Sequence, residues 1–470
     1  MFNKKKRRLS MALNVIENVR VRPATKPSDD SVDSFSLPLN FFELRWIKFH
    51  PNQRVIFYRL TESSSETFHS HILPKLKLSL SHVLHYYLPL AGLLTWDPQD
   101  PKPSITVSKN DTVSLTVAET DADFSFLTSN GLRPATLFHP LVPELEVSDD
   151  SATLLSLQIT LFPNQGFCMG IASHHSVNDG TTSAMFIKSW SHICRLHEHS
   201  NAMEFPLLPE DLTPTFDRTV INIPSGLESK MIDLLSSRSK DNFKTLKPPP
   251  LDEISSDVVR VTLELTSEKI EKLRERVRNE SARSPLELHL SAFVIAYAYS
   301  WTCVVKARGG NPNRPVRFIY TADFRARLDP PLPATYFGSC VLPSGWFQYE
   351  AGTFLKEGGF VKAVEILGDS VKRLGSQGIE SFFEDYVQRG KNIIADAQAG
   401  SVAGSTRLAI NRTDFGWGRP VKTEFVSIDR NEAFSMLERR DDSGGVEIGV
   451  CLKKGEMNTF LSLFKDGLSD

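Results

Sequence analysis

Two apolar runs separated by Pro163-Asn164-Gln165 constrain this chain more than anything else in it. Leu154 to Phe162 and Gly166 to Ala172 each read as a buried strand, and a short break between them predicts a hairpin. The second run ends at His174-His175-Ser176-Val177-Asn178-Asp179-Gly180, after which Thr181 to Ile187 opens an amphipathic helix. Both histidines are thereby put where a strand gives way to a helix, a position at which crevices form.

Similar signals run along the whole chain. Arg54 to Leu60 alternates like a strand, and Phe68 to Tyr87 carries a helical apolar rhythm closed by Pro89 and Gly92. Ser104 to Val107, Val113 to Ala118, Val258 to Leu265, Val316 to Thr321 and Lys422 to Ile428 read as strands. Helices are expected over Glu268 to Glu280, Leu290 to Val305 and Glu456 to Phe464. Between about Glu198 and Asp252 the pattern gives way to prolines without a sustained period, which suits a crossover between domains. A chain of 470 residues is too long for one ordinary core. The expected organisation is therefore a mixed α/β class with two domains of similar size, residues 1–205 and 251–470, joined by a crossover over 206–250.

Charge and cysteine content narrow the function. With 54 basic against 56 acidic residues, the net charge of -2 offers no field to gather nucleic acid or anionic lipid. The five cysteines are scattered and lack any Cys-x-x-Cys spacing, so neither a disulfide framework nor a metal site is expected, and reduced cytoplasmic thiols are the simplest reading. The run Lys4-Lys5-Lys6-Arg7-Arg8 reads as a solvated terminus, and nothing after it resembles a signal peptide. Leu290 to Val305 is too short and too interrupted to span a bilayer, so it is expected as a buried helix. Small-molecule chemistry fits this profile better than a nucleic-acid or membrane partner.

A neutral imidazole can take the proton of an alcohol as that oxygen attacks an acyl group. His175 has Asp179 four residues on and Gly180 straight after. Core histidines bonded to backbone carbonyls are the alternative reading, and His174 is assigned to it. Asp179 could hold the imidazole, or turn away to pair with a cation and pin the loop. The pairing is favoured because a buried carboxylate needs a partner, and Arg325 in Ala322-Asp323-Phe324-Arg325-Ala326-Arg327 is the candidate, a surface ion pair being the other use for that arginine.

A second motif, Asp414-Phe415-Gly416-Trp417-Gly418-Arg419-Pro420, sets two glycines able to adopt positive φ among large aromatic anchors. It has the make-up of a tight, packed loop. Asp414 could cap neighbouring N–H groups or act on substrate, and the structural role is favoured. A protein-kinase reading of Asp414-Phe415-Gly416 fails, because no His-Arg-Asp catalytic loop or glycine-rich phosphate cover precedes it.

Together, His175 to Asp179 and Asp414 to Gly418 closely resemble the two hallmarks of the plant BAHD family of coenzyme-A-dependent acyltransferases. The resemblance extends to Tyr86-Tyr87-Leu88-Pro89-Leu90-Ala91-Gly92 and to Gly444-Gly445-Val446-Glu447-Ile448-Gly449. It implies two halves similar to chloramphenicol acetyltransferase, with His175 midway along a channel between them, the donor entering from one face and the acceptor from the other. It also implies that Asp179 points away into a salt bridge and that the Asp414 loop is remote and structural.

Tyr336-Phe337-Gly338-Ser339-Cys340 looks like the signature of the subgroup that acylates anthocyanins and other phenolic glycosides, commonly from malonyl-CoA, except that Ser339 replaces an asparagine. The swap removes an amide, so any donor contact made by that amide is in question. Arg419, Pro420, Lys422 and Ser427-Ile428-Asp429-Arg430 also resemble the malonyl-transferring subgroup, and Ser401 to Ser405 resembles a segment bordering the donor channel in relatives. The resemblance implies a monomeric enzyme with no bound cofactor and malonyl-CoA as cosubstrate. His175 would deprotonate a sugar hydroxyl of a phenolic or flavonoid glucoside, which attacks the thioester. Arg325, Arg327, Arg407 and Lys422 are the candidate cations for a malonyl carboxylate. A hydroxycinnamoyl-CoA donor and a catalytically silent acyl-CoA binder are the alternatives.

Overall fold

A computed structural model describes residues 11–26, 34–60, 64–97, 99–199, 205–237, 244–345, 348–391, 397–430 and 433–469. The basic run Lys4 to Arg8 lies outside them. Three sheets carry the fold, flanked by helices in the mixed α/β manner expected. A six-stranded sheet runs in the order Asn14–Val21, Val113–Glu119, Leu155–Phe162, Gly166–Ser173, Asn52–Arg59 and Lys422–Phe425. The predicted hairpin is its centre: Leu155–Phe162 and Gly166–Ser173 pair antiparallel from Phe162 with Gly166 to Leu155 with Ser173, and every residue of both strands is buried. Strands covered on both faces read as unbroken apolar runs, which is why this hairpin is visible in the sequence.

The second large sheet has eight strands and is built mainly from the C-terminal half, with Val446–Lys453 between Ala433–Glu438 and Val258–Leu265. A smaller four-stranded sheet joins Ser34–Pro38, Ser104–Ser108, Leu93–Thr95 and Ser151–Thr153. Ala292–Arg308 is the expected buried helix, enclosed from Val294 to Val305. Among the described residues, no helix is long and apolar enough to cross a membrane.

Several expectations change. The segment over 206–250 is not featureless: Leu227–Ser237 is a helix that buries Leu227, Met231 and Leu235. The helix after Phe68 begins with a π turn, Phe68–Ile72, before the α-helix Leu73–Tyr86, and Pro74 in its first turn lacks the N–H a continuous ladder would need. The strand at Lys422 stops at Phe425 and passes into a tight turn, Ser427–Arg430. Gly359–Ser376 and Ile379–Lys391 are helices that the sequence reading passed over. In the first, Gly368 dilutes the apolar pattern because the backbone of His289 crosses there, its carbonyl oxygen 3.2 Å from where a Cβ would sit.

Two strands also cross the division drawn from the sequence. Lys422–Phe425 completes the first sheet beside Asn52–Arg59, while Arg133–Pro134 caps the edge of the second beside Val258–Leu265. Buried charges accompany this exchange. Glu424 accepts from Arg133 at 2.6 Å and pairs with Arg260 at 3.2 Å, and Arg260 continues to Asp429 at 3.1 Å. Burial alone would push the Glu424 carboxyl up, but the charges of Arg133 and Arg260 hold it down at about 2. Removing one member strands the others in a dry interior. Glu424→Ala is therefore expected to cost about 3–5 kcal/mol, measured as a lower denaturation midpoint. Glu280→Ala, which breaks the exposed helix pair with Arg276, should cost about 0.5 kcal/mol or less.

Candidate active site

The hairpin ends at Ser173 and the helix Gly180–His199 begins seven residues later, so the six residues between must turn sharply. Asp179 makes that turn possible. Its carboxylate accepts from the Thr182 amide at 2.9 Å, as the side chain before a helix does. The remaining acceptor positions go to Arg325, at 2.8 and 3.2 Å, and to the Cys340 amide at 3.0 Å. Arg325 extends the cluster to the Gly338 carbonyl at 2.6 Å and the Thr182 hydroxyl at 3.2 Å. Burial acts to raise the Asp179 pKa, yet the arginine's charge and hydrogen bonds hold it below the ordinary carboxylate value. The aspartate thus faces Arg325 and makes no hydrogen bond to the imidazole.

His174 is buried, and its Nδ1 accepts from the Ser176 amide at 3.3 Å. Burial first, and then the neighbouring His175, push its pKa down to about 4. His175 retains some exposure. Its ring lies flat on the indole of Trp46, centres 3.9 Å apart and planes 5° from parallel, while Phe49 meets it edge-on at 5.6 Å. Trp46 is itself fixed by an indole N–H bond to the Val341 carbonyl at 2.9 Å. Ser339 donates its hydroxyl to the His175 carbonyl at 2.6 Å, which holds the backbone beneath the ring. Desolvation in this aromatic setting pushes the His175 pKa down to about 4, Arg45 adding to it and Asp179 opposing. The imidazole is neutral at cellular pH. Its Nδ1 is buried without a hydrogen-bond partner, so Nε2 is the nitrogen available to a bound hydroxyl.

The loop Tyr336 to Cys340 lies against this assembly through a required glycine. Gly338 has φ +126°, and a Cβ there would fall 2.1 Å from a carboxylate oxygen of Glu43. Glu43 pairs with Arg218 at 2.7 Å, and burial raises its pKa to about 7 against the pull of that arginine. Arg218 also bonds the Tyr336 hydroxyl and, at 2.6 Å, the Phe337 carbonyl. Leu408 packs 3.2 Å from where a Cβ on Gly180 would sit, and its amide donates to the Ser405 carbonyl at 3.2 Å, while Arg407 is exposed with its amide on the Ser405 hydroxyl at 3.3 Å.

Other candidates are placed elsewhere. Asp414 accepts from the amides of Gly416 and Gly418 at 2.7 and 3.0 Å, and both glycines take positive φ. Phe415 is buried edge-on to Tyr58 and Trp190, and Trp417 meets Phe167, so this loop clamps the strand and helix that flank His175 from behind. Lys422 is fully buried on Asn130 and Glu447, at 2.8 and 3.3 Å, which corrects its nomination as a substrate cation. Arg327 is exposed and donates to the Asp323 carbonyl. Two recesses, one lined by Arg373, Tyr386 and Arg389 and one of about 480 Å³ lined by Lys102, Arg218 and Ile221, do not include His175 in their walls. Trp46, Phe49 and Arg45 were missed from the sequence. Asn40-Phe41-Phe42-Glu43 was the available signal, since Asn40 and Glu43 form a capping box that opens the short helix before them.

Asp179→Ala would leave the Arg325 guanidinium without its buried counter-charge, with only the partly exposed Asp323 carboxylate beside it at 3.2 Å. A loss of about 3–5 kcal/mol is expected in denaturant unfolding, with Asp179→Asn losing less because its one carbonyl oxygen can still accept from the Thr182 amide, as Asp179 Oδ1 does.

The family model described as Transferase matches residues 12–466. Phenolic glucoside malonyltransferase 2 of Arabidopsis thaliana is 52% identical over 97% of this chain and 100% of its own length. Agmatine coumaroyltransferase of the same plant is also 52% identical, over 97% of this chain and 99% of its own. The crystal structure of vinorine synthase superposes with a TM-score of 0.66 at 19% identity, covering 96% of this chain and 98% of that one, and so shares the fold. The chain belongs to this transferase family, the acyl-CoA-dependent BAHD acyltransferases.

Proposed function

We propose that this enzyme transfers the malonyl group of malonyl-CoA to a sugar hydroxyl of a phenolic or flavonoid glucoside, with His175 as general base. A neutral imidazole stacked on Trp46, its Nδ1 without a hydrogen-bond partner, carries the chemistry of the reading. The likeness to a phenolic glucoside malonyltransferase along that protein's full length supports the choice of donor and acceptor. In a single displacement, His175 takes the hydroxyl proton as the sugar oxygen forms its bond to the thioester carbonyl carbon. The carbon–sulfur bond then breaks, and the thiolate takes that proton back from the His175 imidazolium and leaves as coenzyme A. Asp179 acts as a positioning residue and Asp414 as structural support. A cytoplasmic monomer completes the proposal, and five buried cysteines, all outside disulfides, support a reducing compartment.

A second reading has equal identity behind it. Agmatine coumaroyltransferase would suggest a coumaroyl donor and an amine acceptor. Assays with both thioesters against a glucoside and agmatine separate the two. Saturable malonyl transfer to the glucoside supports the first, and coumaroyl transfer to agmatine in its place overturns it.

Two further outcomes test the base. His175→Ala should lower kcat by about 10²–10⁴-fold, and a variant that keeps most of its turnover sinks the mechanism. The reactive form is the unprotonated ring, so activity falls only as pH drops through its pKa. With that value pushed from 6.5 down to about 4, kcat/KM should stay level from neutrality down to about pH 5. An acid limb near 6.5 contradicts the burial argument.

A further inference from the structure

Of the cations nominated from the sequence for an acyl carboxylate, Arg325 and Lys422 are already bound to buried carboxylates of the protein. Arg45, which the sequence did not suggest, stands beside the imidazole. It follows the short helix Phe41–Leu44, and its guanidinium carbon lies 5.3 Å from the Trp46 ring centre, 5.0 Å from Phe49 and 5.8 Å from Tyr386. Among the described residues, Trp46 and Phe49 are the two rings that touch His175, so the guanidinium is one ring removed from the candidate base. Its Nε donates to the Tyr386 hydroxyl, and it has no carboxylate partner among the described residues. The residue is only partly buried.

A guanidinium held against aromatic faces is weakly hydrated and fixed in orientation, while its outer N–H groups remain free for a planar acceptor. In malonyl-CoA a single methylene separates the thioester carbonyl from the free carboxylate. A cation that recognises this carboxylate must stand within a few ångströms of the carbon under attack, and therefore close to the base. Arg45 is one ring removed from His175, and its charge is felt there, where it opposes protonation.

We propose that Arg45 is a specificity-determining residue for the donor, binding the free carboxylate of a dicarboxylic acyl-CoA while His175 acts at the thioester end. This rests on the malonyl-transfer reading above. The same charge disfavours a cationic acceptor such as agmatine, since like charges would meet in a site of low dielectric.

Arg45→Met tests it, because the side chain still covers the rings while the charge, and with it the bond to the Tyr386 hydroxyl, is lost. With the full-length enzyme and a neutral phenolic glucoside, kcat/KM is measured for malonyl-CoA and for acetyl-CoA. The malonyl-to-acetyl ratio should fall about tenfold or more, mainly through KM for malonyl-CoA, and Arg45→Lys should recover part of it. A ratio unchanged in Arg45→Met, or equal losses with both donors, overturns the proposal, the second outcome meaning that Arg45 only supports Trp46. If the wild-type enzyme does not use malonyl-CoA at all, the functional reading fails instead, and wild-type assays alone reveal that.

Discussion

The buried pair between Asp179 and Arg325 fixes everything else at the site. It gathers the start of the helix after His175, the turn that follows the strand Pro315–Asp323, and the backbone of Gly338 and Cys340 into one cluster of hydrogen bonds. Such a pair adds little net stability, because desolvating two charges costs about what their attraction returns. What it supplies is uniqueness: few other arrangements of these segments satisfy every donor and acceptor. It also settles how the aspartate relates to the histidine. With all its acceptor positions taken, Asp179 cannot orient the imidazole through a hydrogen bond. The indole of Trp46 takes over that orienting role by stacking, and Ser339 holds the backbone below.

A comparable logic joins the two large sheets. Each borrows a strand from the other half of the chain, and Glu424 and Asp429 neutralise Arg133 and Arg260 where the borrowed strands meet. The site depends on residues from both halves: His175 and Trp46 from one, Arg325, Ser339 and Val341 from the other. A sliding of one sheet on the other would break the Ser339 and Trp46 contacts together. The exchanged strands and their charges oppose that motion.

Legibility in the sequence followed the range of the interaction. The hairpin and the helix after it were readable because strand and helix periodicity are local, and they alone place His175. Asp179 and Arg325 could be paired on the principle that a buried carboxylate needs a counter-charge, although their separation carries no spacing signal. Trp46 and Arg45 were invisible, since stacking on a distant segment leaves no periodic trace. Lys422 shows the opposite limit: a sequence displays a charge but not its partner, and here Glu447 and Asn130 had claimed it. The substitution at Ser339 raised a doubt about a lost amide. In the fold the shorter hydroxyl reaches the His175 carbonyl.

The low pKa of His175 sets a problem that the proposed role of Arg45 helps to resolve. A base with a value near 4 is always in its reactive form at neutral pH, but it draws weakly on an alcohol proton. Catalysis then requires that the imidazolium be better tolerated in the transition state than in the free enzyme. The Trp46 face offers part of this, because its π-cloud attracts a cation stacked upon it. Arg45 works in the other direction while its charge is unbalanced. A donor carboxylate seated on that guanidinium would cancel the repulsion and raise the basicity of the ring only when a dicarboxylic acyl group is in place. A donor without the carboxylate would leave the base weakened, so selectivity would be expressed in the chemical step as well as in binding.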